Sequence, residues 1–409
     1  MYRMMDGVKV VEAAGYLFVP VAGAVLADWG AEVIKVEHPF TGDPYRGLRN
    51  DFVKPGLPNP MLELANHGKR SIGIDLATPE GLELMYELLG EADVFLTSFM
   101  MEPLRRLKLD YESVVKVNPR IVYARGSGFG TRGPDADKPG FDGAATWTRG
   151  GLMWRMTPPD ADQPVQQPGS VGDLTGGLSV ALGVSAALFK RERTGEPQRV
   201  DVSLYSVGMY ISSQSIGAAN LGLDYLRSGR VGPRNPLVNT YRTGDERWLM
   251  LCMIQPDPYW ADFCEHIDRD DLIDDPRFKD IDVRDEHCDD LVKILEDTFA
   301  SRTLDEWREA FATLQGVWSP ALSASEIVAD PQVAANDYFP EVLDAEGKPV
   351  TAPDGTVFRC VTAPVQFNGE TVGPLRAMPS AGQHTEEILL ERGHDWPAII
   401  QLKEAGVIT

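Results

Sequence analysis

The order of apolar runs in the first 130 residues limits this chain more than any other feature. Short runs rich in Val and Ile recur, and stretches with helical spacing separate them. VKVVE (8–12), AEVIKVE (31–37), RSIGIDL (70–76), ADVFLTSF (92–99) and RIVYARGSGF (120–129) read as strands. Between them lie VPVAGAVLADWG (19–30), which ends at Gly30, and TPEGLELMYELLGEA. In the second of these Thr78 is placed to cap, Pro79 takes the first helical position, and Leu82, Met85 and Leu88 share a face. Strands that alternate with helices need crossover connections. They fold as an α/β parallel sheet with helices on its faces.

Downstream the character changes. Residues 131–170 are rich in Gly, Pro and Asp and read as long loop, where enzymes often carry function. PGSVGDLTGG then runs into LSVALGVSAALF, a helix predicted over 174–189, with Lys190, Arg191 and Arg193 at its end and Gly195 just past it. RVDVSLY (199–205) adds a strand. At 409 residues, two domains are the default. The spacing predicts a large domain beginning over 1–225, a Gly/Pro/Arg-rich linker at 226–248 and a smaller α+β domain at 249–330. Residues 331–409 then provide a second linker and the C-terminal part that completes the large domain. The acidic run between 268 and 290 reads as solvated surface.

The net charge of −22 argues against nucleic acid or an anionic membrane surface as partner. One anionic small molecule is still compatible, since charges screen over roughly 8 Å at physiological salt. Its cations must then be gathered locally. Lys69 with Arg70, Arg105 with Arg106, and Arg125, Arg132 and Lys138 are the candidates. Of these Arg105, Arg106 and Arg125 fall at or beyond strand ends, where open α/β sheets bind ligands. Cys252, Cys264, Cys288 and Cys360 lie far apart and read as free thiols of a reducing cytosol. The N-terminus has no signal-peptide core, and no apolar run reaches the roughly 20 residues of a membrane span. A cytoplasmic location is expected. The glycine fingerprint of dinucleotide sites, the P-loop, HExxH and GxSxG are all missing, and the six histidines are scattered. No metal and no tightly bound cofactor are expected.

Asp173 in PGSVGDLTGG admits two readings. A carboxylate at a helix start is an ordinary N-cap. The same position also suits a nucleophile kept ionised by the helix dipole.

The segment LADWGAEVIKVEHPFTGDPYR resembles the N-terminal signature of the class III CoA-transferase family, which includes formyl-CoA and carnitine CoA-transferases and, as a divergent branch, α-methylacyl-CoA racemase. Collinear matches continue through ANHGKRSIGIDL, RLKLDYESV, NPRIVYARGSGFGTRGP, KPGFD, GDLTGG, RTGEPQRVDVSL, DPRFKDIDVR, RTLDEW, EIVADPQVAAND and AGQHTEEIL. The resemblance implies a large Rossmann-like domain made from both chain ends, a small central domain, and a homodimer of two chains interlocked as rings. It implies an acyl-CoA thioester and a carboxylic acid as substrates, with Asp173 as the catalytic nucleophile. Lys69, Arg70, Arg106 and Lys138 match basic positions near the CoA phosphates, and Leu17 and Phe18 match residues along CoA. His38, Ser98 and Phe99 fall at CoA-contacting positions; many relatives have Asn-Phe-Arg-Pro-Gly where this chain has Ser98-Phe99-Met100-Met101-Glu102, and formyl-CoA transferase has a basic residue where this chain has His38. Gly172, Gly176 and Gly177 are expected to let a bulky thioester approach. Phe141, Asp142, Trp154 and Met156 are candidates for the acyl pocket. In the racemase branch a histidine precedes the aspartate that matches Asp142; Phe141 stands there and cannot exchange a proton. A racemase and a non-catalytic CoA-ester-binding protein are the alternatives to a transferase.

Overall fold

The computed structural model describes residues 2–48, 56–136, 138–223 and 235–409. Six strands form one sheet: β1 (Lys9–Ala13), β2 (Glu32–Glu37), β3 (Arg70–Gly73), β4 (Val94–Thr97), β5 (Val122–Ser127) and β6 (Gln198–Ser203). Their order is β3-β2-β1-β4-β5-β6, and every neighbouring pair is parallel. All of β4 and all but the first residue of β1 are buried, as expected for strands covered on both faces. The chain order reverses between β1 and β4. Loops leaving the carboxyl ends of those two strands diverge, and such a switch point is where open α/β sheets hold ligands.

Among the described residues seven α-helices precede β6: α1 (Phe18–Asp28), α2 (Pro60–Asn66), α3 (Pro79–Glu91), α4 (Met101–Arg106), α5 (Tyr111–Val117), α6 (Leu152–Met156) and α7 (Val171–Thr194). Thr78 caps α3 through the Gly81 N–H, with Pro79 at its start, as the sequence predicts. Strand periodicity sends alternate residues to opposite faces. Val10, Val33, Leu96 and Ala124 meet α1 and α7 on one side. Val11, Ile34, Phe95 and Tyr123 meet α3, α5 and the C-terminal helices Thr385–Glu391 and Trp396–Glu404 on the other.

Helix α7 is 24 residues long, extending the predicted helix at both ends. Gly195, in the left-handed region at φ 71°, closes it. By length and composition it could cross a membrane. Here its glycines seat it on α1: a Cβ at Gly176 would stand 2.5 Å from the Phe18 ring, and one at Gly177 2.6 Å from Val21 and 2.8 Å from the Phe18 carbonyl. These glycines therefore bring two helices together. This corrects the expectation that they clear a path for the thioester.

The chain divides into two compact units. The first comprises Met1–Arg155, Pro164–Tyr225 and Pro331–Thr409; the second comprises Met156–Gln163 and Leu226–Asp330. In the second, Val238–Arg242, Trp248–Cys252 and Trp318–Pro320 pair as an antiparallel sheet. The linker expected at 226–248 is corrected over its later part, where Asn239 and Tyr241 turn inward from a strand. Its first residues, up to 234, lie outside the described residues. Trp307, Phe299 and Phe311 pack at the centre of this unit's core.

Candidate active site

A cleft of about 320 Å³ opens at the β1/β4 switch point of the first unit. The turn after β1 contributes Gly15 and Tyr16, and the turn after β4 contributes Ser98, Phe99 and Met100. The end of β5, from Arg125 to Gly128, forms the back. Lys138, Pro139, Gly140 and Phe141 close one side, and Asp173 reaches in from the first turn of α7.

Asp173 does not cap its helix. The capping carboxylate is Asp142, whose Oδ2 accepts the N–H groups of Gly172 (2.8 Å) and Asp173 (3.1 Å). Gly172 has no side chain because a Cβ there would meet Asp142 and Thr146 at 2.3 and 2.2 Å. The cap expected of Asp173 thus passes to a residue 31 positions earlier, which the sequence shows only as a candidate pocket wall. The same hydrogen bonds occupy the N–H groups of Gly172 and Asp173, so neither is open to an oxyanion.

The expectation that the helix dipole keeps Asp173 ionised is also corrected. Burial, and then the Asp142 carboxylate beside it, push Asp173 up to about 7. No ion pair or side-chain donor among the described residues offsets this. The carboxylate is therefore poorly solvated and reactive once ionised. Asp142→Asn keeps an oxygen for both N–H groups and removes the charge. The acid limb of any activity carried by Asp173 is expected to move to lower pH in that variant, measured as log kcat/KM against pH. An unmoved limb would show that Asp142 does not tune Asp173.

A buried ionic frame holds the loops around the cleft. Glu12 on β1 accepts from Lys35 (2.9 Å) and Lys69 (2.7 Å), and Lys35 also meets Asp43 (2.9 Å). Asp43 Oδ1 accepts the backbone N–H groups of Tyr16 (3.0 Å) and Tyr45 (2.9 Å). Burial would raise Glu37, but Arg46, Lys35 and Ser71 bring it down to about 2, and it holds the Asp43 N–H at 2.9 Å. Burial, reinforced by Lys35 and opposed by Glu12, lowers Lys69 to about 8. The Tyr45 hydroxyl is buried without a hydrogen-bond partner among the described residues. Burial and then the Asp173 charge push it up to about 12, so it is a proton donor at neutral pH.

The expected CoA contacts separate into two groups. Phe18, Ser98, Phe99 and Lys138 line the cleft. Ser98 Oγ accepts the Gly15 N–H at 3.2 Å, fixing the turn after β1. The others are placed elsewhere. Lys69 is enclosed by Glu12, the Pro20 carbonyl and Asn66, away from the cleft lining. Arg70 stands at the amino end of β3, engaged by Glu32, Glu387 and Glu391. Leu17 is packed in the core at the start of α1. Arg106 is exposed, 3.7 Å from Glu102 one turn away, and His38 is exposed with its Nδ1 accepting N–H groups of Phe40 and Thr41. None of these five lines the cleft. A second groove, sharing Arg125 and Ala136 with the cleft, gathers Arg105, Arg132 and Arg199 beside Glu112 and Asp201. Of the acyl-pocket candidates, Phe141 lines the cleft and Asp142 lies beneath it, whereas Trp154 is exposed outside it and Met156 falls in the second unit.

Tyr16, Asp43 and Tyr45 carry no site signal in the sequence. The last two sit inside GDPYR, but nothing local shows that this loop folds back on the turn after β1. The glycines of GSGFG also gain a role: a Cβ at Gly128 would meet Gly140 at 2.7 Å, so the two loops bounding the cleft touch through backbone.

A doubly wound sheet whose switch point holds a half-buried carboxylate, unneutralised among the described residues, defines the class: an α/β enzyme fold with a candidate nucleophile. Residues 5–385 match the model of CoA-transferase family III, and the chain belongs to that family. It is 34% identical over 408 residues, 99% of both chains, to (R)-2-hydroxy-4-methylpentanoate CoA-transferase of Clostridioides difficile. It is 32% identical to cinnamoyl-CoA:phenyllactate CoA-transferase of Clostridium sporogenes, covering 98% of this chain and 96% of that one. The fold is similar to the crystal structure of a CAIB/BAIF family protein from Brucella suis, with TM-score 0.80, 28% identity and coverage of 96% and 100%. The chain is an acyl-CoA:carboxylate CoA-transferase of this family, and neither the racemase nor the binding-protein alternative is favoured.

Proposed function

We propose that the protein moves CoA from an acyl-CoA thioester to a free carboxylic acid through covalent intermediates on Asp173. The observation that carries this reading is the Asp173 carboxylate itself, reaching the cleft without a neutralising partner. An ionised Asp173 oxygen attacks the thioester carbonyl. The C–S bond breaks, CoA thiolate leaves, and a mixed anhydride forms. Thiolate then attacks the aspartyl carbonyl of the anhydride. The donor acid leaves as carboxylate, and Asp173 becomes a CoA thioester.

The acceptor carboxylate attacks that thioester carbonyl, again expelling thiolate and forming a second anhydride. Attack of thiolate on the acceptor's acyl carbon completes the new acyl-CoA and restores the Asp173 carboxylate. Water has to be kept from both anhydrides, and the apolar walls at Phe18, Phe99 and Phe141 serve this. Lys138 and the cations of the adjoining groove supply positive charge for the phosphates of CoA against the chain's negative field.

The substrates for which the relatives are named, a 2-hydroxy-4-methylpentanoate and a cinnamoyl/phenyllactate pair, set the first acids to try. The protein is incubated with an acyl-CoA donor and each free acid, and CoA exchange is followed by mass spectrometry. New acyl-CoA is expected without net loss of thioester. Simple hydrolysis, or no exchange across branched, aromatic and short acids, would contradict the reading.

A further inference from the structure

Tyr16 is costly by two separate measures. It has φ 65°, in the left-handed region that a bulky L-residue rarely occupies, although a glycine stands immediately before it. Its side chain also stays 39% exposed. A turn residue selected only for folding would relieve one cost or the other, with Gly or Asn in the backbone or with a polar side chain on the surface. Neither has happened. The conformation is held by others: Asp43 takes the Tyr16 N–H, Ser98 takes that of Gly15, and Asp43 is anchored in turn by Lys35 and Glu37. Strain kept in place by a buried ionic frame and aimed into a cleft points to function.

The ring meets Phe141 from across the cleft. The two centroids are 5.2 Å apart at 82°, an edge-to-face pair. Phe141 is itself 62% exposed, on a loop fixed by the backbone contact of Gly140 with Gly128. Two aromatic rings, one partly and one largely uncovered, thus stand at the mouth of the cleft that contains Asp173. Met100, 39% exposed, lies in the same lining. Unburied apolar surface gathered at one concave place marks what is covered on binding.

We infer that Tyr16 is a specificity-determining residue, which with Phe141 clamps the acyl group of the thioester and selects acids with a branched or aromatic apolar body. The inference rests on Asp173 being the acyl carrier, because that places the acyl group in this cleft. Acetyl and succinyl groups have no apolar body for the rings to cover and gain nothing from the pair.

The test compares Tyr16→Ala, Tyr16→Phe and the wild type with two classes of donor, 3-phenylpropanoyl-CoA and 4-methylpentanoyl-CoA against acetyl-CoA and succinyl-CoA. In Tyr16→Ala, kcat/KM for the first class is expected to fall about tenfold or more, and for the second class to stay within about twofold. Tyr16→Phe keeps the ring and is expected to keep the preference. Affinity for the unreactive thioether S-(3-phenylpropyl)-CoA should fall in parallel in Tyr16→Ala, read by calorimetry without turnover. Equal losses for both classes would show a merely structural residue, and an unchanged ratio would show that the ring does not meet the acyl group; either overturns the inference. Failure of the underlying reading looks different, because Asp173→Asn would then keep CoA transfer from these donors.

Discussion

Asp173→Asn is expected to lose CoA exchange by at least about 10⁴-fold, the scale seen when a nucleophile is removed from a covalent mechanism. The same substitution is expected to stabilise the fold. Folded Asp173 titrates near 7 against 3.8 for the unhindered group, so the native state binds this proton more tightly than the unfolded chain. Ionising it costs native stability as pH rises from about 4 to about 7, and the whole cost is present above that. The difference corresponds to at most about 4 kcal/mol, less whatever solvent screening the open cleft provides. Asparagine has no charge to desolvate. Its Tm should exceed that of the wild type at pH 8 and match it near pH 4. Full activity in the variant, or an equal Tm at both pH values, would contradict the account.

Glu12→Gln is expected to lower stability by about 3–5 kcal/mol, because it leaves buried ammonium groups without their common counter-charge. Lys35 keeps Asp43, but Lys69 keeps only neutral acceptors. The wild-type Lys69 is already lowered to about 8, so the folded state holds its proton less tightly than the unfolded chain. Without Glu12 that pKa falls further. The deficit at pH 7 should then shrink as the pH rises through about 8, where the wild-type Lys69 gives up its proton too, because the unfolded chain is common to both. Chemical denaturation of variant and wild type at pH 7 and pH 10 measures this. A loss within about 0.5 kcal/mol at pH 7 would show that Glu12 is not the centre of the frame. Because Lys35 and Asp43 connect the frame to Tyr16 and Tyr45, the variant should also lose activity before it unfolds.

The parts of the fold legible in the sequence are those set by local chemistry. Thr78 and Pro79 start α3, Gly195 ends α7, and the strand runs fall within a few residues of where they are expected. The alternation of elements is enough to require a parallel sheet. Long-range pairing is what local reading does not reach. Val238–Arg242 looks like linker because its Pro and Gly neighbours dominate composition, yet Tyr241 is fully buried against Phe299. At the site, Asp173 is legible as a carboxylate opening an apolar helix. Its charge state is not, because Asp142, which both caps the helix and raises Asp173, approaches from a separate loop. Lys69 illustrates the opposite error. A lysine beside an arginine looks like an anion site in one dimension, and only the arrival of Glu12 from β1 shows it to be internal.

The most direct measurement is chemical capture of the acyl-enzyme. The protein is mixed with acyl-CoA and hydroxylamine at pH 7.5, digested, and searched by mass spectrometry for an aspartyl hydroxamate. The modification is expected on the peptide containing Asp173, dependent on acyl-CoA and missing from Asp173→Asn. Steady CoA exchange with that peptide unmodified, or with the hydroxamate on another carboxylate, would contradict it.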